Sequence, residues 1–294
     1  MIGSDPPLTG LRFSLVGPGR VGRSILAWMK ASGAELGEIA GRAADPESEG
    51  LSRPVMRVES LESRDEDLLV LAVPDPVLPA VARRLSLRPQ ARVVLHTSGR
   101  RGGEILERLR KRGSIPGSFH PLRAFPETLP DLEIAAETFF ALDGDPAAVA
   151  MGRRLAGAWG ADHGIVPAES RSLYHLGATL AAGGVTTVLA AAASVARSRD
   201  LPDGVLDGYR TLARGALDFT PARDPVRGIT GPVARGEPSY LEQVRDLEES
   251  APELVPLVLT LARATLRLLE GKGGIGEDSR RELARHLDRI GSDR

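Results

Sequence analysis

An α/β domain with a doubly wound, mostly parallel sheet, followed by an all-α domain, is the fold class this sequence predicts. Three observations carry the prediction. Short apolar runs alternate with helical patterns over the first half of the chain. A glycine-rich turn joins the first apolar run to the first helix. After about Pro167 the strand pattern stops and long helical stretches follow. With 294 residues the chain has room for two medium domains, expected at residues 10–166 and 167–292.

Phe13-Ser14-Leu15-Val16 reads as the first strand. It leads into Gly17-Pro18-Gly19-Arg20-Val21-Gly22, a G-x-G-x-x-G, and Ser24–Met29 reads as the start of a helix. Strand, glycines, helix is the order that a dinucleotide-binding turn requires. Gly17 lets the chain turn off the strand, Gly19 admits a pyrophosphate close to the backbone, and Gly22 lets helix and strand pack closely. The helix N-terminus, with Arg20 and Val21 at its start, adds unpaired N–H groups and a partial positive charge. The plainer alternative is a tight βα turn with no ligand, because glycine is common here, 33 of 294 residues.

Ala34–Ala40 is the expected second strand. It ends in Gly41-Arg42, twenty positions after Gly22. An acidic residue there would accept from the ribose hydroxyls and favour NAD. Arg42 instead offers a guanidinium to a 2′-phosphate, a contact worth roughly 1.5–3 kcal/mol. That predicts NADP over NAD by about ten- to a hundredfold. A surface arginine without a ligand is the alternative. Asp67–Val73, DLLVLAV, is continuously apolar and reads as a buried parallel strand. Val73 and Pro74, at its end, complete the expected cofactor-binding set.

Val77–Leu85 reads as helix, Arg92–Leu95 as strand and Glu104–Arg112 as amphipathic helix. Ser114–Phe119 and Thr138–Leu142 read as strands, and Ala147–Trp159 as helix. Glu169–Arg197 is one long helical stretch. Gly204–Leu217, Ser239–Glu249, Pro252–Leu269 and Asp278–Ile290 are further helices. Gly271–Gly276, GKGGIG, lacks the strand and spacing of a phosphate-binding loop and reads as a turn between helices.

A hydrophobic content of 42% suffices for a core, while a net charge of −1 and only 4% aromatic residues argue against a nucleic-acid partner. The lack of cysteine excludes disulfides, thiolate zinc sites and a thiol nucleophile. MIGSDPPLTG has neither a basic nor an apolar leader region, so a soluble cytoplasmic protein is expected. Leu176–Ala196 has no charged side chain and the length to span a bilayer. It is mostly Ala, Gly, Thr and Ser, so no membrane partner is expected; a helix buried in the helical domain or in a dimer interface explains it better.

In open α/β sheets, ligands bind beyond the carboxyl ends of the strands. Those ends carry Pro74-Asp75, His96-Thr97-Ser98 and His120-Pro121. His120 is a candidate to exchange a proton with a substrate oxygen or amine, since an imidazole titrates near neutrality. Ser98 is a candidate to hydrogen-bond the nicotinamide ribose or the substrate. Tyr174-His175 opens the long helix, and His175 is the second candidate proton donor. The plain alternative is that these histidines cap strands and helix. No metal is expected, because no close-spaced ligand pair supports a zinc site from His96, His120 and His175. Gly228–Glu237, GITGPVARGE, places Thr230 and Arg235 in a loop where they would contact a substrate carboxylate or phosphate.

Together GPGRVG, LAVPD, HTSG, GSFHPL, the Tyr-His-led helix and TGPVARGE resemble the Rossmann-like proteins that carry a DUF2520 domain, over nearly the whole chain. That family is similar in build to the 6-phosphogluconate-dehydrogenase-like superfamily, which includes ketopantoate reductase and pyrroline-5-carboxylate reductase. The resemblance implies an NAD(P)-binding Rossmann domain, a helical C-terminal domain and a homodimer through the helical domain. There are departures. The hydroxyacid branch relies on a Lys where this chain has Tyr174-His175, and no Lys lies between Lys111 and Lys272. Gly183-Gly184 stands near the place where the family's helix continues with a Ser-Asn pair.

The expected protein is an oxidoreductase that uses NADP, with NAD as the alternative, to move hydride to or from a small C=O or C=N substrate in the interdomain cleft. The competing class is a non-catalytic dinucleotide-binding sensor or scaffold, which the missing Lys and the Gly183-Gly184 pair favour.

Overall fold

The computed structural model describes residues 7–42, 44–45, 51, 53–88, 90–125, 132–271 and 277–292. The chain divides into two compact units, residues 1–182 and 183–294. The division falls inside the long helical stretch, later than residue 166.

The first unit is built on an eight-stranded sheet of order β3-β2-β1-β4-β5-β6-β7-β8. The strands are β1 (Arg12–Val16), β2 (Glu35–Gly41), β3 (Val55–Arg57), β4 (Leu68–Leu71), β5 (Val93–His96), β6 (Ile115–Leu122), β7 (Phe139–Gly144) and β8 (His163–Ile165). Strands β1 to β6 run parallel, and the order reverses between β1 and β4. All residues of β4 and β5 are buried. A parallel strand covered on both faces must be apolar throughout, which is why these two were legible as unbroken runs. β7 turns back antiparallel on β6, pairing Gly117 with Gly144 and Leu122 with Phe139, and β8 follows β7 in parallel.

Helices cover both faces. They are α1 (Arg20–Ala31), α2 (Leu78–Leu85), α3 (Glu107–Arg110), α4 (Leu132–Ala136), α5 (Pro146–Ala158) and α6 (Arg171–Thr179). The helix expected at Glu104–Arg112 forms as a 3-10 turn, Gly103–Leu106, that runs into the single turn of α3. On one face Phe13, Trp28, Met29, Phe119, Phe140 and Trp159 share a core. Phe119 and Phe140 stack there at 4.4 Å, and Trp28 and Trp159 meet at 5.4 Å. On the other face Val16, Leu71, Leu78, Leu85, Leu106 and Leu109 pack together. Each such side chain contributes about 1.5–3 kcal/mol by leaving water. Glu66 is a buried carboxylate: it lies just before β4, one carboxylate oxygen has no hydrogen-bond partner among the described residues, and burial raises its pKa.

The second unit consists of helices α7 (Val185–Ser198), α8 (Gly204–Asp218), α9 (Pro232–Arg235), α10 (Ser239–Ser250), α11 (Val255–Leu269) and α12 (Glu277–Ser292). Its core joins Val244 and Leu247 of α10, Val255, Leu259 and Leu266 of α11, and Leu283 and Leu287 of α12. α8 contributes no buried residue and α7 only Ala196. Residues 272–276 of the GKGGIG stretch lie outside the described residues.

α6 continues through a π-helical turn, Leu180–Gly184, into α7. The expectation that Leu176–Ala196 is buried inside the helical domain does not hold. Leu176 is 54% exposed, Leu180 65% and Val188 41%, because neither unit folds a core around this stretch. By length and composition alone the helix Ala168–Ser198 passes as long and apolar enough to cross a membrane.

Candidate functional site

The glycine-rich turn leaves β1 at Val16 and enters α1 at Arg20. Gly17 has φ +93°, and a Cβ there would lie 2.3 Å from the Ala72 carbonyl oxygen, so no other residue fits the crossing to the strand end beside it. A Cβ on Gly22 would lie 2.1 Å from the Gly17 carbonyl oxygen, which is the close helix–turn contact. Gly19 differs: a Cβ there meets nothing within 4 Å. The turn is therefore rigid at both ends and open in the middle. Gly19 caps α1 without a side-chain hydrogen bond, and the first turn of α1 holds no acidic residue, so nothing on the helix opposes an anion at its N-terminus. Arg23 braces the turn by donating from Nε to the Pro18 carbonyl at 3.1 Å. Arg20 is exposed, Val21 half-buried. Val73 packs against Gly17, and the exposed Pro74 accepts from the Val77 N–H at 3.0 Å, where α2 begins.

Arg42 follows the last residue of β2. It is exposed and makes no hydrogen bond or ion pair with a described residue. Beside it lies a second arginine that sequence reading missed. Arg57 ends β3 and is the register partner of Gly41, so the two arginines stand at the carboxyl ends of neighbouring strands. A three-residue edge strand has too little apolar pattern to be seen in sequence.

The carboxyl ends of β5 and β6 and the start of α6 form a polar cluster. His96 is fully buried. Its Nε2 donates to the Gly102 carbonyl at 2.9 Å, and its Nδ1 accepts from the Ser98 N–H at 3.2 Å. Both nitrogens are used in shaping the loop, and burial, helped by the Arg171 charge, pushes its pKa down to about 4. Ser98 is likewise turned inward: its hydroxyl accepts from the Arg101 N–H at 3.1 Å, and its carbonyl accepts from Ser118 Oγ at 3.3 Å.

His120 is half-buried and shares a 2.8 Å hydrogen bond between Nδ1 and the Tyr174 hydroxyl. The two rings cross edge to face with centroids 5.5 Å apart. Burial, then Arg171, then His175 push the His120 pKa down to about 4, against a smaller upward pull from Asp75. Burial pushes the Tyr174 phenol up to about 12, with Arg171 opposing. At neutral pH the pair is therefore a neutral imidazole beside a protonated phenol. The His175 ring stands 6.0 Å from that of His120, and its buried Nδ1 has no hydrogen-bond partner among the described residues. Gly99 separates the two imidazoles. A Cβ on Gly99 would lie 2.7 Å from His120 Nε2 and 2.7 Å from His175 Nδ1. Two ring nitrogens thus face one backbone position that only glycine leaves open.

The structure brings together His120, His175 and the Ser98 loop, and adds Tyr174, Gly99 and Arg171. Thr230 and Arg235 belong to the second unit. Thr230 is exposed in the loop before α9, and the exposed Arg235 is ion-paired with Glu237. Among the described residues no group of three or more His, Cys, Asp or Glu side chains could hold a metal ion.

A sheet that reverses its order between β1 and β4, with a glycine cradle at the reversal and a polar cluster beyond β5 and β6, defines a Rossmann-like fold. Residues 8–121 match the family described as a Rossmann-like domain, and residues 138–265 match the domain of unknown function DUF2520. The two matches follow one another along the chain. Its fold is that of protein TM1727 from Thermotoga maritima, with 23% identity and a TM-score of 0.66 over 86% of this chain and 97% of that one. Protein BF3122 from Bacteroides fragilis is similar at 18% identity and a TM-score of 0.71, over 87% and 97% of the two chains. An imine reductase from Myxococcus stipitatus in complex with NADP+ is similar at 14% identity and a TM-score of 0.62, over 89% and 96%. No curated protein matches the chain in sequence.

Proposed function

We propose that this protein is an NADP-dependent oxidoreductase that reduces a small C=O or C=N compound or oxidises the corresponding product. The observation that carries the reading is that one unit combines an open glycine cradle with a half-buried, hydrogen-bonded imidazole–phenol pair where β6 meets the start of α6. Gly17, Gly19 and Gly22 fit a pyrophosphate, because a Cβ is excluded at the first and last and the middle position is open. Arg20 and Val21 begin the helix that would face it, and Val73 and Pro74 flank the turn. Arg42 and Arg57, which pair with no charged group among the described residues, supply cations for a 2′-phosphate, which favours NADP over NAD. The NADP+ bound to the Myxococcus imine reductase supports the same cofactor class.

When bound, the dinucleotide supplies or accepts a hydride. The chain's own residues supply the proton that goes with it. Tyr174 donates its hydroxyl proton to the substrate heteroatom, the Nδ1 proton of neutral His120 follows to the phenol oxygen, and His120 Nε2 regains one from solvent. His175 and the buried Arg171 steady the charge that develops. Thr230 and Arg235 are further substrate-contact candidates. We also infer a soluble, cytoplasmic homodimer. Exposed Leu212 and Leu217 on α8 and the neighbouring Phe219, which is 89% exposed, support pairing of the helical unit with a second copy. Light scattering that gives the monomer mass would refute that pairing.

The test is calorimetric titration with NADPH and NADH, then turnover on a panel of keto acids, ketones and cyclic imines. NADPH is expected to bind ten- to a hundredfold more tightly than NADH, and Arg42→Ala or Arg57→Ala to reduce the difference. No binding of either nucleotide overturns the reading. Tight binding with no turnover on any carbonyl or imine moves it to the sensor class.

A further inference from the structure

Arg171 is a fully buried arginine whose guanidinium meets no carboxylate within ion-pair distance among the described residues. Instead it donates to three backbone carbonyls. Nε reaches Val166 at 3.1 Å, Nη1 reaches Ser98 at 3.2 Å and Nη2 reaches Ala141 at 3.3 Å. These acceptors come from three separate segments: the loop after β5, the middle of β7 and the end of β8. Ala141 is the cross-strand partner of His120. Tyr174 lies three residues after Arg171 in α6, on the same side of the helix. Asp143 and Glu104 are the acidic groups that act on the guanidinium. Each is already engaged, Asp143 with the Gly103 N–H at 3.0 Å and Glu104 with the Gly102 N–H at 3.2 Å.

A charge held away from water without a countercharge is expensive. A long apolar residue would fill the same space without that cost. What such a residue lacks is the planar fork, which reaches three divergent acceptors at once. We propose that Arg171 is a positioning residue: it clamps the first turn of α6 to the loop after β5, the middle of β7 and the end of β8 and so fixes where the Tyr174 hydroxyl meets His120. Its charge has a second effect on the same pair. The groups facing His120 are Arg171, Tyr174 and His175 from α6, His96 from β5 and Asp75 from the loop after β4. Burial does most to keep His120 neutral, and Arg171, the only permanent cation among these groups, adds to it while the clamp holds the ring in place.

The inference rests on the proposed function only in giving the His120–Tyr174 pair its purpose. Its test needs neither cofactor nor substrate. Imidazole nitrogen resonances of the full chain labelled at histidine report the tautomer and titration of His120. Lysine keeps the charge but places its donors at one point, so Arg171→Lys is expected to change the Nδ1 resonance by loosening the bond to Tyr174, while His120 still titrates near pH 4. Arg171→Met removes both clamp and charge and is expected to raise the His120 midpoint, burial still holding it below the ordinary imidazole value. An Arg171→Lys protein with the wild-type Nδ1 resonance overturns the clamp. A folded Arg171→Met protein with an unshifted midpoint overturns the electrostatic half. If Arg171→Met does not fold, Arg171→Lys and the wild-type titration still decide the first point. NADPH titration of the same samples separates this outcome from a failure of the proposed function, because the glycine cradle is untouched by either variant.

Discussion

Tyr174→Phe removes one oxygen atom and leaves the ring. The edge-to-face contact with His120, at 5.5 Å and 89°, stays available, so the change isolates the 2.8 Å hydrogen bond. Losing an ordinary bond of this kind costs about 0.5–1.5 kcal/mol, and orphaning a buried partner raises the figure to about 1–3 kcal/mol. His120 and Tyr174 are both half-buried, and water can replace part of what is lost. We therefore expect about 1–2 kcal/mol, which for a unit of this size lowers the melting temperature by roughly 2–8 °C. The assay is thermal and urea unfolding of wild type and variant at pH 7.5, with His120→Asn and the double variant completing a cycle. A coupling energy near 1 kcal/mol is expected between the two positions. A melting temperature unchanged within error, with additive single variants, would refute the claim that the two side chains hold one another.

The glycine cradle makes a sharper prediction. Gly19→Ala meets nothing within 4 Å, so stability should stay within about 0.5 kcal/mol while NADPH affinity falls at least tenfold. A variant that binds as wild type would argue that no phosphate approaches there. Gly17→Ala, with its 2.3 Å clash and φ of +93°, should lose both stability and binding in the same experiments. His96 and His120 titrate near pH 4 in the fold and near their ordinary 6.5 when unfolded. The unfolded chain thus binds more protons between those values, and stability should fall as pH drops through that window, by roughly 2 kcal/mol per histidine at pH 4.5. Urea midpoints measured from pH 7 to 4.5 check this, and a flat profile would contradict it. Glu66 acts with the opposite sign. Its raised pKa means that the fold prefers the protonated carboxyl, so the stability it contributes is lost as pH rises. Glu66→Gln should therefore stabilise the protein at pH 7–8, with the gain vanishing below its titration. An unchanged or lowered midpoint at pH 8 would show that the carboxylate is better accommodated than its burial implies.

The features legible in sequence were those whose physics is local. Leu68–Leu71 and Val93–His96 are buried on both faces, so their composition alone betrays them. The glycines at 17, 19 and 22 follow from the turn they make. His120 and His175 were legible as candidates from their places near a strand end and a helix start, although β6 runs on to Leu122 and holds His120 inside the strand, paired with Ala141, where the reading ended it at Phe119. Their mutual geometry was not, since it depends on Gly99, a residue that reads as an ordinary turn. β8 was invisible because His163-Gly164-Ile165 has no apolar run, and its strand character comes from pairing with β7. The reversal of β7 against β6 was equally hidden, because side-chain pattern does not encode strand direction. Arg171 is the clearest case. An arginine at the start of a helix reads as a solvated charge, and only the carbonyls of residues 98, 141 and 166, remote in sequence, make its burial tolerable.

The aromatic cluster beneath the sheet has a practical consequence. Both tryptophans of the chain, Trp28 and Trp159, sit in it with rings 5.4 Å apart, while the second unit carries only Tyr209 and Tyr240 among chromophores that absorb at long wavelength. Selective indole excitation therefore reports on the first unit alone. Far-ultraviolet circular dichroism, dominated by helix, follows the second unit as well. Two optical signals recorded on one unlabelled sample will show whether the two units melt together or in sequence.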